Sequence, residues 1–183
     1  MSASWRVHVS TWLRFFTGNR LAPYHPMPSD AVRSVFSLMS CQPSDTLVDL
    51  GCGDGQLLIR AASKPYNVQK CIGYELNSEL YNICQQRIVE LNLSTTVHVY
   101  NTNAVHADLS HATIIVLYLS EQGNKALLPI LIPKLQQQPL TRVISFLFPI
   151  PSLHPVHTTS VSGGIPILMY NGQSINTNAQ NIK

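Results

Sequence analysis

At 183 residues, 45% of them hydrophobic and only 11% charged, the chain can bury a substantial single core and has too little charge for a disordered polyelectrolyte. Its formal net charge of +3 sits at the beginning, where Arg6, Arg14 and Arg20 precede the first acid, Asp30; beyond that point nine basic residues balance nine acidic ones. A neutral body lacks the basic face that tracks a nucleic-acid backbone, which argues against that class of partner.

In chain order, Trp5, Val9, Trp12, Leu13 and Phe16 fall on one face of a helix, with Arg6, Ser10 and Arg14 to the side. The segment is Arg-bearing and free of acids, and residues 1–22 are set apart as an amphipathic targeting or membrane-associating segment. Packing of the aromatic face on the domain is the alternative. It is too short and too charged to span a bilayer.

Pro23, Pro26 and Pro28 make an extended lead-in, PYHPMPSD, and Ser29 or Asp30 is expected to cap the helix AVRSVFSLM. Strand TLVDL, a glycine loop and a helix from Gln56 follow, then strand KCIGYEL and a helix over Ser78 to Leu91. Strands TVHVYN and ATIIVLYL, a helical segment near Glu121 to Leu135, and strand TRVISFLF come next. The alternation, with ATIIVLYL apolar on both faces, predicts a mostly parallel sheet covered by helices on both sides. TTSVSGGIPILMY is expected to close the fold as a hairpin around Gly163 and Gly164. The expected domain covers residues 23–172, and residues 173–183 are read as a polar, frayed tail.

Cys41, Cys52, Cys71 and Cys84 form no CxxC pair and are read as reduced thiols. His154 and His157 have no nearby third ligand and are separated by Pro155, so no metal site is expected.

Chemistry concentrates in DLGCGDG, residues 49–55. In a doubly wound sheet this loop lies beyond the end of the first strand, where glycines let the backbone approach a ligand. The spacing is G-x-G-x-G rather than the dinucleotide G-x-G-x-x-G, and Asp49 at the strand end would repel a pyrophosphate but attract a ligand with an amino group and a sulfonium. S-adenosylmethionine has both. Glu75, closing the second strand, is placed to accept both ribose hydroxyls. Asn103 follows the third strand where its amide oxygen could accept from the adenine amino group, and Leu76 and Ala104 could sandwich the ring. Turn and core roles are the alternatives for these three.

The D-x-G-x-G-x-G loop with an acid ending the second strand resembles the class I S-adenosylmethionine-dependent methyltransferases. From Pro23 to Pro151 the chain is further similar to the mitochondrial protein-lysine methyltransferases of the adenine nucleotide translocase or the ATP synthase c subunit and their prokaryotic relatives. PYHP, VDLGCGDGQLLI, GYELNSEL, ADLSHATIIVLYLS and ISFLFPIP carry that likeness. The resemblance implies a Rossmann-like seven-stranded sheet and S-adenosylmethionine as cofactor. It also implies a protein substrate presenting a lysine, and a mitochondrial, membrane-associated location, with a cytoplasmic one as the alternative. By position it places Asp49, Gly51, Cys52 and Gly53 at the methionine end of the cofactor and Glu75 at the ribose.

The chain departs from the family pattern at Met27, where Ser or Thr is usual, at Asn103, where Asp is usual, and at Pro129 and Pro133 within a helix. Tyr24 and Tyr118 are the candidates for an aromatic pocket that desolvates the acceptor amine. No general base or other catalytic residue is assigned. Three rival readings remain: a nucleic-acid methyltransferase, although LYLS lacks the Asn/Asp-Pro-Pro-aromatic motif; an NAD-dependent oxidoreductase; and a non-catalytic methyltransferase-like binding or assembly module.

Overall fold

Short runs rich in Val, Ile and Leu, each bounded by turn residues, build one seven-stranded sheet in the computed structural model, which describes residues 25–175. In chain order the elements are α1 (Ser29–Met39), β1 (Thr46–Leu50), α2 (Gln56–Ala62), β2 (Lys70–Tyr74), α3 (Ser78–Glu90) and β3 (Val97–Tyr100). A 3-10 turn (Ala104–His106) leads to β4 (Ile114–Leu117), α4 (Glu121–Ala126), α5 (Leu128–Gln137), β5 (Arg142–Phe146), β6 (His157–Val161) and β7 (Ile165–Tyr170). The expected mostly parallel sheet forms in the order β3-β2-β1-β4-β5-β7-β6. Strands β1 to β5 run parallel, and β7 pairs antiparallel with both β5 and β6. The hairpin read around Gly163 and Gly164 is the β6–β7 pair.

Because strand side chains alternate between faces, β1 divides its residues between two cores. Leu47 joins Val35, Phe36 and Met39 of α1, Leu58 of α2 and Ile88 of α3 on one side; Val48 and Leu50 join Leu127, Leu131 and Leu135 on the other. Helices therefore pack on both faces at the centre of the sheet.

Two local expectations change. Ser29 and Asp30 lie inside the first turn of α1, with Pro28 at the N-cap position and no side-chain cap; instead the Asp30 carboxylate accepts the Ala31 N–H at 2.9 Å. The helix read over residues 121–135 divides into α4 and α5 at Leu127, because Pro129 has no N–H to give α4's last turn and suits the first turn of a new helix. After Tyr170 the polar sequence still makes a packed turn, Gly172–Ser174, and Ile175 bridges Leu153. The amino-terminal segment and Tyr24 lie outside the described residues. Among the described residues no helix is long and apolar enough to cross a membrane.

At the amino ends of the strands, away from the glycine loop, Asp45 accepts from Arg142 Nη2 at 2.7 Å, from Thr113 Oγ1 at 2.7 Å and from the Gln42 N–H at 2.7 Å. Arg142 also donates to the carbonyls of Met39 and Ser40. One ion pair thus ties the end of α1 to the starts of β4 and β5, satisfying helix carbonyls that the helix itself leaves open.

Candidate active site

β1 pairs with β2 on one side and β4 on the other, so the chain leaves the two neighbouring strands in opposite directions and a crevice opens beyond their carboxyl ends. The glycine loop occupies that switch point. Gly51, Gly53 and Gly55 have φ of 88°, 55° and 79°, the left-handed region that glycine enters without penalty. The Gly51 and Cys52 N–H groups both donate to the Tyr74 carbonyl, at 2.9 and 3.1 Å, which folds the loop across the end of β2. A Cβ on Gly55 would lie 2.4 Å from Cys84 Sγ, so α3 can approach only a glycine there.

Glu75 is the residue immediately after β2. Its Oε2 accepts the Gly53 N–H at 2.8 Å and its Oε1 the Asn77 N–H at 2.8 Å. The carboxylate therefore bridges the glycine loop and the entry to α3, and each oxygen retains further acceptor capacity. Asn77 in turn caps α3 by accepting from the Glu79 N–H at 2.9 Å.

Asp49 is 4% exposed. Burial, and then the nearby carboxylates of Glu75 and Asp54, push its carboxyl up to about 7. Among the described residues no lysine, arginine or histidine forms an ion pair with it. Asp54, by contrast, is paired with Arg87 of α3, which also donates to the Asp54 carbonyl at 2.9 Å. Ionised, Asp49 would carry an uncompensated charge in the crevice, and a cationic ligand would balance it.

Asp49, Gly51, Cys52, Gly53, Glu75, Leu76, Asn103, Ala104 and Tyr118 all line this one cleft. Leu76 is 41% exposed, whereas Ala104 is buried. The Asn103 amide oxygen accepts the Val105 N–H at 3.1 Å and so caps the 3-10 turn, an anchoring role beyond the expected contact with adenine. Tyr118 meets Phe146 edge-on with ring centroids 4.7 Å apart, and burial lifts its phenol to about 12, which keeps it neutral.

The cleft also takes residues to which the sequence alone assigned no role: His25, Asp54, Gln56, Asn77 and Leu119. Gln56 opens α2 and donates from Nε2 to the Met27 carbonyl at 3.3 Å, tying the proline-rich lead-in to the glycine loop. Met27 itself is buried in the cleft wall. Only the P-Y-x-P block hinted that the lead-in belongs to the site, since a contact across 29 residues leaves no local pattern.

The family model of the ANTKMT methyltransferase domain matches residues 49–157, from Asp49 to the first residue of β6. The chain belongs to this methyltransferase family. It is 33% identical over 142 residues to a protein-lysine N-methyltransferase of Saccharolobus islandicus, covering 78% of this chain and 86% of that one. It is 28% identical over 137 residues to the lysine N-methyltransferase of the ATP synthase c subunit from Homo sapiens, covering 75% of this chain and 56% of that one. Among solved structures, an RNA methyltransferase from Salinibacter ruber in complex with S-adenosyl-L-homocysteine superposes with TM-score 0.74 at 29% identity, over 80% of this chain and 93% of that one. The chain is an S-adenosylmethionine-dependent methyltransferase, and the NAD-dependent and non-catalytic readings fall away.

Proposed function

We propose that this enzyme is a protein-lysine N-methyltransferase that holds S-adenosylmethionine across the ends of β1 and β2 and takes as acceptor a lysine of a mitochondrial membrane protein. The observation that carries the cofactor's placement is Asp49, a buried carboxyl raised to about 7 with no cationic partner among the described residues, beside a glycine loop open to close approach. In this reading Asp49, Gly51, Cys52 and Gly53 receive the methionine end, Glu75 accepts from the ribose hydroxyls, Leu76 and Ala104 flank the adenine, and Asn103 marks its edge. The lysine assignment is supported by the two lysine methyltransferases described above.

When bound, the cofactor supplies an electrophilic methyl on a sulfonium that leaves as a neutral thioether. To accept that methyl the lysine nitrogen would have to be neutral, so its ammonium proton must pass to water first; the methylated nitrogen would then carry the positive charge that the sulfonium gives up. The chain's contribution is alignment and desolvation. A lysine amine near pH 7 is uncharged only about once in a thousand molecules, given a reference pKa of ~10.4. Met27, Tyr118 and Leu119 give the cleft a wall of low polarity that disfavours the ammonium form. Tyr24, outside the described residues, is the other candidate for the acceptor pocket.

A second reading, methylation of RNA, is favoured by the described activity of the Salinibacter ruber protein. The test is to incubate the protein with labelled S-adenosylmethionine and either a mitochondrial membrane extract or total RNA, then locate the label by mass spectrometry. Label on lysine side chains supports the proposal; label in RNA and none on lysine overturns it.

A further inference from the structure

Between β3 and β4 the chain makes only the 3-10 turn Ala104–His106 and no longer helix. The face of β2 and β3 that looks away from α2 and α3 therefore lacks a helical cover, and a second cavity of about 480 Å3 opens on it. That size suits a small-molecule ligand.

Its lining is chemically specific. Residues on this face repeat every second position, so the register brings Ile72 opposite His98 and Tyr74 opposite Tyr100. Tyr74 and Tyr100 stack, with centroids 5.5 Å apart and planes 28° from parallel, and Tyr100 remains 51% exposed. Lys70 begins the same column on β2, and His106 and His111, from the chain between β3 and β4, also line the cavity; all three are exposed. Asp108 is the acid of the group. Its carboxylate accepts the Ser110 N–H at 2.9 Å, while its own N–H donates to the Tyr74 hydroxyl at 3.0 Å, so it serves the turn that forms the wall.

An exposed ring seated on a second ring is a platform for a planar base. His98 lies two residues from Tyr100 on the same face, about 7 Å along the strand, the scale of the separation between base and phosphate in one nucleotide. His98 and Lys70 supply N–H donors there, and Lys70 a positive charge. The two clefts are separated by Tyr74 and the segment around residues 101–106, so this cavity is distinct from the one that takes the methyl donor.

We propose that the groove on β2 and β3 is a nucleotide site, with the base stacked on Tyr100 and the phosphate held by His98 and Lys70. The test is calorimetric titration of the full chain saturated with S-adenosylhomocysteine, which blocks the first cleft to adenosine. Adenosine monophosphate should bind at least tenfold more tightly than adenosine or inorganic phosphate alone. Tyr100→Ala and Lys70→Gln should each weaken it at least tenfold, Tyr100→Phe should retain it, and all three should keep their affinity for S-adenosylhomocysteine. A uridylate octamer that binds more tightly than the mononucleotide assigns the source as RNA; equal affinity assigns free nucleotide. Absence of binding, binding indifferent to Tyr100→Ala and Lys70→Gln, or a preference for an oligoglutamate peptide overturns the proposal.

Discussion

Asp49 and Glu75 carry opposite burdens although both are carboxyls in one cleft. Glu75 is anchored by two backbone N–H groups and is placed to accept from a ligand, so Glu75→Ala should weaken S-adenosylmethionine binding by at least tenfold, ~1.4 kcal/mol, in a calorimetric titration. Asp49 is raised to about 7 by burial and by two like charges. Its folded pKa exceeds its unfolded value of about 3.9, so the ligand-free protein should lose stability as pH rises from about 4 to about 7 and level off above. A cationic ligand favours the ionised form. Cofactor affinity should therefore rise with pH up to about 7 and then flatten, with a proton released on binding below that point. Titrations in buffers of different ionisation enthalpy measure that proton, and Asp49→Asn should abolish it. The carboxyls themselves could be read from the order of residues, whereas the raised pKa could not. It depends on Asp49 being enclosed beside Glu75 and Asp54, which only the folded loop arranges.

Among the elements, the glycine loop and the end of β5 show how little slack the site tolerates. Gly55→Ala places a Cβ 2.4 Å from Cys84 Sγ at a φ of 79°, combining overpacking with backbone strain, and should cost about 1–3 kcal/mol by denaturant titration while moving α3 off the loop. Beyond the carboxyl end of β5, Asn124 of α4 donates from one amide nitrogen to Ser145 Oγ and to the carbonyls of Phe148 and Pro149, at 3.1, 3.0 and 3.1 Å. Asn124→Ala removes this donor from the buried Ser145 hydroxyl and from two partly buried carbonyls and should cost about 1–3 kcal/mol, read from the same denaturant titration. The glycine loop was legible because three regularly spaced glycines are a local signal. Asn124 gave none, since its partners lie more than twenty positions away. The break between α4 and α5 was half legible: Pro129 and Pro133 stand out within a helix in the sequence, and the missing N–H of Pro129 places the break at Leu127, but that Leu127, Leu131 and Leu135 then share the second core is visible only in the fold.

For the whole molecule, the arginine-bearing residues 1–22 and the neutral body make the decisive experiment one of location. Fused to a fluorescent reporter, residues 1–22 should carry it to mitochondria, and a diffuse cytoplasmic signal would remove the targeting reading. The sequence by itself determined the alternation of strand and helix, the switch-point loop and the two carboxyls, because periodicity, glycine chemistry and strand-end acids act within a few residues. Only the tertiary structure decided that Gln56 ties the lead-in over the cleft, that Glu75 is held by Gly53 and Asn77, that Asn103 is an anchor for its own turn, and that β2 and β3 keep an open aromatic face. Each of these depends on which distant backbone groups come within hydrogen-bonding or stacking reach, and that proximity is set by sheet order and register rather than by any local pattern.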